Sequence, residues 1–311
     1  MTAIKEEAVS SRAGAHHQSS IETLLDGCSW QYYLANIKNV PTQPKPHALV
    51  GTTFHSAVEL HENARLSGWD SDIPSLQDML DFAEKAIRLE APKINPVMML
   101  DKDGNVWDEE TLIEMCHSAI ENWYSVPLKD GGVSHREWLL NLKPVAIEPY
   151  FRLALVEGAD PIGGWIDGVY KDKEGNIILV DQKTAGDFSR WKADGEGHRF
   201  QATMYAVALV LSDDFPEVTD LSKIQMHYVV SRTRGGNVEK ARRVIVQPEL
   251  DDVAMLGNRI RGAEAIVKNN LYAPNPTWTL CSQRFCPFYQ GCQVTGELRK
   301  TPIELMEKYR D

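Results

Sequence analysis

Gly164-Trp165-Ile166-Asp167-Gly168 is followed, after a short gap, by Ile177-Ile178-Leu179-Val180-Asp181-Gln182-Lys183-Thr184, and these two segments decide the fold. The second segment begins with four apolar residues, which is typical of a buried strand. Within that gap, the residues from Lys171 to Gly175 are polar and end in glycine, which is typical of a hairpin turn. Asp167 and Asp181 are therefore predicted to lie on adjacent strands of one sheet.

The pair Asp181 and Lys183 is predicted to carry chemistry. The two residues are two positions apart, so on a strand they project from the same face, with the carbonyl of Gln182 between them. Two carboxylates converging beside a lysine suit a hard divalent cation, which prefers oxygen ligands. Such an ion supports phosphodiester hydrolysis by lowering the pKa of a bound water. On these residues alone, a surface salt bridge is an open alternative.

The surrounding pattern predicts an α/β fold. A helix that begins with a capping box of Ser19 and Glu22 is expected to carry Cys28 on its apolar face. The strands and helices predicted after residue 142 are strands at Val145 to Val156, Gly163 to Tyr170, Asn176 to Val180, Ile224 to Ser231 and Val238 to Val246, and helices at Phe200 to Leu211 and Leu250 to Lys268.

Four motifs in order resemble the RecB-like branch of the PD-(D/E)XK nuclease superfamily. Two are the glycine-flanked Asp167 and the strand ending in Asp181-Gln182-Lys183-Thr184. The third is Gly51-Thr52-Thr53-Phe54-His55, and the fourth pairs Gln201 with Tyr205. The resemblance implies a restriction-endonuclease-like core, in which a mixed central sheet is flanked by helices.

The resemblance also implies an activity and a site. The activity is that of a Mg²⁺- or Mn²⁺-dependent DNA nuclease, an exonuclease acting on single strands or ends in recombination, repair or replication. The implied metal ligands are His55, Asp167, Asp181 and the carbonyl of Gln182, and the implied catalytic residues are Asp167, Asp181, Lys183, Gln201 and Tyr205.

Bland alternatives stay open for three of these assignments. His55 alone is more often an ordinary core or surface histidine, and a plain core position is the less favoured alternative for Tyr205. Glu148, one strand before Asp167, is either near the metal or a surface charge. The competing function is a catalytically silent DNA-binding or scaffold module with a nuclease fold.

Three of the five cysteines, Cys281, Cys286 and Cys292, lie within twelve residues, a density typical of zinc or iron–sulfur ligands. Together with Cys28 they resemble the iron–sulfur nucleases of the same branch, which implies a [4Fe–4S] cluster, favoured over zinc, that joins the two ends of the chain. Four residues separate Cys281 from Cys286, where relatives commonly have two. Cys116 lies in an apolar helical pattern and is expected in the core.

The net charge of −11 disfavours broad polyanion binding, so DNA contacts require a local basic surface. Arg232, Arg234, Arg242 and Arg243 cluster and are candidates for phosphate contacts, although a solvated hairpin explains them equally well. Trp165 and Trp191 are candidates for base stacking, with core packing preferred. No apolar run suits a membrane span or signal peptide, so a cytoplasmic protein without a membrane partner is expected, and any recombination or replication partner is unspecified.

Five segments are expected along the chain. They are a mobile tail (1–18), N-terminal helices with the first cluster cysteine and the histidine (19–72), a helical insertion (73–142), a nuclease core (143–270) and a C-terminal cluster-binding segment (271–311).

Overall fold

The computed structural model describes residues 16–42, 45–68, 72–94, 107–129, 132–235, 238–282, 285–289 and 292. Most of the predicted tail, a turn expected at 101–104 and a predicted C-terminal helix lie outside the described residues. In the described part of the chain, no helix has the length and apolar character needed to cross a membrane.

From residue 16 to residue 68 the described chain forms α1 (Gln18–Leu25), α2 (Ser29–Tyr32) and α3 (Pro46–Leu66), with a π-helical turn at Tyr33–Ile37 after α2. The predicted capping box is wrong, because His17 is the N-cap of α1 and its backbone N–H donates to Ser20 Oγ at 2.9 Å. Pro46 occupies the first turn of α3, where a missing backbone N–H costs nothing.

Cys28 lies between helices and not on one, which corrects the prediction. The chain leaves α1 at Asp26, and Cys28 has extended backbone angles as the N-cap of α2. Gly27 permits this break because an added Cβ would lie 2.9 Å from Trp278 Cζ2 and 2.9 Å from the Thr23 carbonyl oxygen. The break turns Cys28 away from the apolar stripe of α1.

The described residues of the segment 73–142 are mainly helical, as its pattern predicts, and form α4 (Leu76–Glu90), α5 (Glu109–Ser125) and α6 (His135–Leu140). Ser75, Asp108 and Ser134 cap these helices by accepting the backbone N–H of the residue three positions later. Cys116 is fully buried in α5, with its Sγ 3.9 Å from the Val50 carbonyl oxygen, so its predicted core position is confirmed.

Two strands that the sequence predicts as continuous are each broken. The first becomes β1 (Lys143–Ile147) and β2 (Tyr150–Leu153), and the second becomes β3 (Ile162–Trp165) and β4 (Gly168–Lys171). Three elements lie within one residue of their predicted bounds: α7 (Arg199–Val210), β6 (Ile224–Arg232) and α8 (Leu250–Lys268). Strand β5 (Ile177–Ala185) continues five residues beyond its predicted end, and β7 (Ala241–Val246) starts three residues later than predicted.

The central sheet has the order β1-β4-β5-β6-β7 and is mixed. Strands β5 and β6 run parallel, and the other neighbouring pairs are antiparallel. A separate two-stranded sheet pairs β2 with β3. The α/β class and the mixed sheet flanked by helices are thereby confirmed.

Each face of the sheet is covered by its own core. One core contains Ile177 and Leu179 of β5 together with residues of α1, α7 and α8. The other contains Ile178 and Val180 with residues of α3, α4 and α5. Because β5 is buried on both faces, its side chains alternate between the two cores, and the residues that follow Val180 keep the same alternation.

Candidate functional site

Asp167 lies where the strand pair bends. Ile147 is paired with Gly168 in the central sheet, and Tyr150 is paired with Trp165 in the small sheet. Both chain segments therefore cross from one sheet to the other between these two pairs. Asp167 is the residue before β4, and its backbone carbonyl accepts from the Glu148 N–H at 3.2 Å. The bend releases the Asp167 side chain from the regular pleat and turns it toward β5.

Asp181 and Lys183 lie on one face of β5, as the spacing predicts. Asp181 is 1% exposed, and its Oδ2 forms a close ion pair with Lys183 Nζ. The alternation along β5 directs both side chains toward α7. A surface salt bridge does not describe this pair, because the carboxylate is buried.

Two neighbours from other elements hold Asp167. Its Oδ2 lies 3.2 Å from His55 Nδ1 of α3 and accepts the Gln182 backbone N–H at 2.7 Å. The Gln182 backbone thus contacts Asp167 from the middle of β5. The Gln182 side chain is buried, with no hydrogen-bond partner for its Oε1.

Helix α7 contributes the amide and the phenol. Gln201 Nε2 donates to Asp181 Oδ1 at 3.1 Å and to Tyr205 Oη at 2.9 Å. The two side chains lie on one helix face because they are four residues apart. Tyr205 also packs edge-on against Phe151 at 5.7 Å between ring centroids, so it belongs to the core and to the polar network at once.

Burial and charge set the ionisation of this group. Burial raises the pKa of Asp181 to about 6, and the Lys183 ammonium only partly offsets this. Burial also raises the pKa of Asp167, and it lowers the pKa of His55 to about 4, so the imidazole is neutral at neutral pH. Burial lowers the pKa of Lys183, but Asp181 and Asp167 outweigh it and the net pKa is raised. At the site, Lys183 therefore keeps its positive charge, and burial disfavours the negative charge of both Asp167 and Asp181.

Two residues that the sequence did not assign to the site lie near it. Glu22 of α1 is close enough to Lys183 for each charge to shift the pKa of the other, although burial is what raises the Glu22 pKa most. His198, before α7, stacks on Trp191 at 4.2 Å between centroids and is within electrostatic reach of Asp181. No motif in the sequence assigns either residue to the site, and the sequence predicts Glu22 only as part of a capping box with Ser19.

Glu148 lies beside the bend with a left-handed backbone (φ 52°). This conformation is unfavourable for a residue with a Cβ, and it persists where the surroundings enforce it. The charge of Glu148 contributes weakly to the raised pKa of Tyr205, after burial and the charges of Asp181 and Asp167. Glu148 is thus near the site, and its role stays a prediction.

The four predicted cluster cysteines line a single pocket. Its wall also includes Trp30, Trp278 and Phe288, and its cysteines are Cys28, Cys281, Cys286 and Cys292. Burial raises the pKa of the Cys286 thiol, and the other three cysteines add to that rise, which shows how near they are. The Asn275 backbone N–H lies 3.4 Å from Cys28 Sγ, and Asn275 Nδ2 donates to the Gly27 carbonyl at 2.8 Å.

The spacing of these sulfurs is wider than a zinc site requires. In the described residues, no three of them have Sγ atoms that all lie within 4.8 Å of one another. A tetrahedral zinc with bonds of about 2.3 Å places its sulfurs about 3.8 Å apart. None of the five cysteines is in a disulfide.

A histidine and two acids form the one group in the described chain whose ligand atoms all lie within 4.8 Å: His16, Asp160 and Glu264. Protein contacts already satisfy it, because His16 lies 3.1 Å from Glu264 and 3.2 Å from the Tyr32 hydroxyl. The same glutamate accepts the Asp160 backbone N–H at 2.8 Å. The group anchors the N-terminal segment.

The four arginines that are candidates for phosphate contacts do not all lie on one face of the sheet. The expectation that they form one cluster is therefore corrected. Arg242 and Arg243 are consecutive on β7 and so face opposite sides of the sheet. Arg242 lies 4.9 Å over the Phe188 ring and donates to the Trp191 carbonyl at 2.7 Å, while Arg243 lies 4.4 Å over the Trp138 ring. Arg234 is exposed and lies after the end of β6.

Comparisons with known proteins report low similarity. No protein-family model matches the chain. No curated protein matches it either. A crystal structure named "Putative exonuclease", from Eubacterium rectale, is 10% identical with a TM-score of 0.49, covering 96% of this chain and 94% of that chain. The crystal structure of SSO0001 is 14% identical with a TM-score of 0.34, covering 75% of this chain and 94% of that chain. Likenesses at these scores assign neither a family nor an activity.

Proposed function

We propose that this chain is a divalent-metal-dependent DNA nuclease that hydrolyses phosphodiester bonds, acting as an exonuclease on single strands or DNA ends. The observation that carries the proposal is a convergence of side chains. Asp167, from the bend before β4, meets Asp181 and Lys183 of β5. His55 of α3 and Gln201 of α7 join them from two helices. A buried set of this composition is costly to fold unless it has a ligand. The preference for ends, and a role in recombination, repair or replication, follow from the resemblance to RecB-like nucleases.

The donor set suits Mg²⁺ or Mn²⁺. Asp167 and Asp181 would supply oxygen ligands, with the Gln182 carbonyl and neutral His55 completing the protein's share. The ligand atoms of His55, Asp167 and Asp181 do not all lie within 4.8 Å of one another in the described chain. This spread suits an ion that keeps several waters and takes only one or two carboxylates directly. Imidazole as a ligand favours Mn²⁺ over Mg²⁺.

Each protein group has a role in the proposed reaction. The bound ion would lower the pKa of a water and neutralise charge on the phosphate. The ammonium of Lys183, kept protonated by the two carboxylates, would stabilise charge that develops on the phosphoryl oxygens or orient the attacking water. Gln201 holds Asp181 in place through its amide, and Tyr205 in turn accepts from that amide. These are contributions of positioning and electrostatics.

The cysteine pocket is proposed to bind a [4Fe–4S] cluster. Four thiols face one pocket, and the sulfur spacing exceeds that of a zinc tetrahedron. Thiolate ligands suit such a cluster. Because Cys28 is about 250 residues from the other three along the chain, the bound cluster would close a very long loop and stabilise the fold.

The test is an anaerobic cleavage assay on end-labelled single- and double-stranded DNA with Mn²⁺ or Mg²⁺. The wild-type protein is expected to degrade DNA, and Asp181→Ala is expected to lose that activity. Asp213→Ala is the matched control, because Asp213 is an exposed aspartate in the turn after α7. The product ladder gives exonuclease polarity.

The outcomes separate two functions. Metal-dependent cleavage that survives Asp181→Ala would refute the site. DNA binding without cleavage, by protein with its full iron content, would instead support a catalytically silent DNA-binding module.

A further inference from the structure

A groove opens at the end of β5, beside the proposed catalytic centre. Thr184, Ala185 and Gly186 form one part of it, directly after Lys183. The first turns of α3 form the opposite side, and Gly51 of that helix would carry a Cβ 3.6 Å from Thr184 Oγ1. The same helix carries His55 one turn further on, so the groove lies between the strand and the helix that hold the proposed metal ligands.

The groove is positively charged on an acidic protein. Its lining includes the cations Lys45, Arg190 and Arg234 and a single acidic residue, Asp187. The hydrogen bonds that Ser189 donates to Asp187 lower the pKa of its carboxyl, so Asp187 stays ionised and offsets one of the three cations. Arg190 and Arg234 are exposed and form no ion pair within the described ranges. Two guanidinium groups are therefore available here, in a chain whose net charge is −11.

Aromatic residues lie in the same groove. His47 is exposed, and its ring meets the edge of buried Trp107 at 4.2 Å between centroids. Phe285 forms part of the far wall. Flat rings interleaved with cations are the combination that binds single strands, because unpaired bases offer faces for stacking and the backbone offers phosphates.

The far wall is next in sequence to the cysteine pocket. Phe285 directly precedes Cys286, and its backbone carbonyl accepts a close hydrogen bond from Lys45 Nζ. Lys45 is the N-cap of α3, so one side chain connects the cysteine segment to the helix that carries His55. The groove is thus bounded by the cysteine segment on one side and by the catalytic strand on the other.

We infer that this groove is the channel for a single nucleic-acid strand, with Arg190 and Arg234 contacting phosphates and His47 stacking on a base. The inference rests on the proposed nuclease function and names the strand that reaches its site. Lys45 positions the wall and the helix by its bond to Phe285. A duplex has no unstacked base to offer His47, and its binding depends less on the channel.

The test measures binding without cleavage. Fluorescence anisotropy follows a labelled 12-mer of oligo(dT) binding to cluster-loaded protein in EDTA over a series of salt concentrations, with oligo(U) and a blunt duplex of equal length as separate arms. The variants are Arg190→Ala/Arg234→Ala and His47→Ala. Lys173→Ala/Arg261→Ala removes two exposed cations elsewhere and is the matched control.

Two different signatures are expected. The double arginine variant should reduce the slope of log affinity against log salt by about 1.4, at about 0.7 per lost phosphate contact on a single strand. His47→Ala should weaken binding roughly fivefold or more at every salt concentration and leave the slope unchanged. The control should bind as the wild type does. Comparing oligo(dT) with oligo(U) shows whether the channel distinguishes DNA from RNA.

Three results would overturn the inference. One is an unchanged slope for the double arginine variant, another is unchanged affinity for His47→Ala, and the third is equal losses on the duplex. If these occur while Asp181→Ala still abolishes cleavage, the channel alone is wrong. If Asp181→Ala leaves cleavage intact, the proposed catalytic site is wrong whatever the binding data show.

Discussion

The raised pKa of Asp181 predicts that metal-free protein loses stability as the pH rises. The pKa is about 6 in the folded protein, against an ordinary value of 3.8. Because the folded state holds this proton more tightly, the stabilisation is fully present below pH 3.8 and is lost as the pH rises through about 6. At about 1.4 kcal/mol per pH unit, the loss is about 3 kcal/mol.

Asp181→Asn isolates this effect because the amide cannot titrate. Free energies of unfolding from urea titrations in EDTA are compared between wild type and variant at a series of pH values. The advantage of the variant over the wild type should grow by about 2.4 kcal/mol between pH 4 and pH 7, because at pH 4 the unfolded aspartate is already partly ionised. The comparison uses the change with pH, so any constant cost of leaving Lys183 without its partner cancels.

Addition of Mn²⁺ at pH 7 should reverse the difference, because a bound cation compensates the buried carboxylate only in the wild type. The growth of the difference with pH is the decisive quantity. A difference that stays constant with pH, or that shrinks as the pH rises, would refute the account of Asp181 as a buried carboxylate awaiting a cation.

Three further predictions concern the cysteine pocket and the backbone. Cys286→Ala should lose bound iron and melt at a lower temperature, whereas Cys116→Ala should retain its iron; full iron content in the first variant would contradict the ligand assignment. Gly27→Ala should lose about 2 kcal/mol of unfolding free energy, because the new Cβ forces Trp278 to move. Gly257→Ala in α8 should gain about 0.5 kcal/mol, because its Cβ would meet only Arg261 Nη1 at 3.7 Å. Chemical denaturation of both variants checks the contrast. Glu148→Gly should gain up to about 1 kcal/mol of unfolding free energy, because glycine adopts the left-handed backbone without strain. Calorimetry then measures the Mn²⁺ affinity of the same variant. A lower affinity would place Glu148 at the metal, and an unchanged affinity would make it a surface charge.

The long periodic elements could be predicted from the sequence. Helix α8 has its predicted bounds, and α7 differs from prediction by one residue at each end. Their apolar residues recur over several turns, so tertiary packing reinforces the local pattern. The shared face of Asp181 and Lys183 follows in the same way from the two-residue period of a strand.

The bend at Asp167 could not be predicted from the apolar pattern. It arises where two paired strands leave the central sheet together, which depends on pairing between distant residues. Pro149 was the available signal, because proline is poorly tolerated inside a sheet and marks edges and irregularities. The predicted continuous strands overlooked it.

The contents of the site were only partly predictable. His55 approaches Asp167 because α3 crosses the sheet, and nothing in its own neighbourhood marks it as different from a core histidine without the family resemblance. Glu22 and His198 reach the site through α1 and the turn before α7, and neither belongs to a recognisable motif. The predicted cluster of arginines is wrong because residues that are close in sequence alternate between the two faces of β7.

The anchoring of His16 has a practical consequence for truncated versions of this protein. Its backbone forms a parallel bridge with Ile162, donating to the Pro161 carbonyl at 2.8 Å and accepting from Gly163 at 2.9 Å. The bridge covers hydrogen-bonding groups along the outer edge of β3. A chain that starts after residue 17 would expose that edge and invite strand pairing between molecules. Self-association after shortening the N-terminus would then reflect an uncovered strand and say nothing about a natural oligomer.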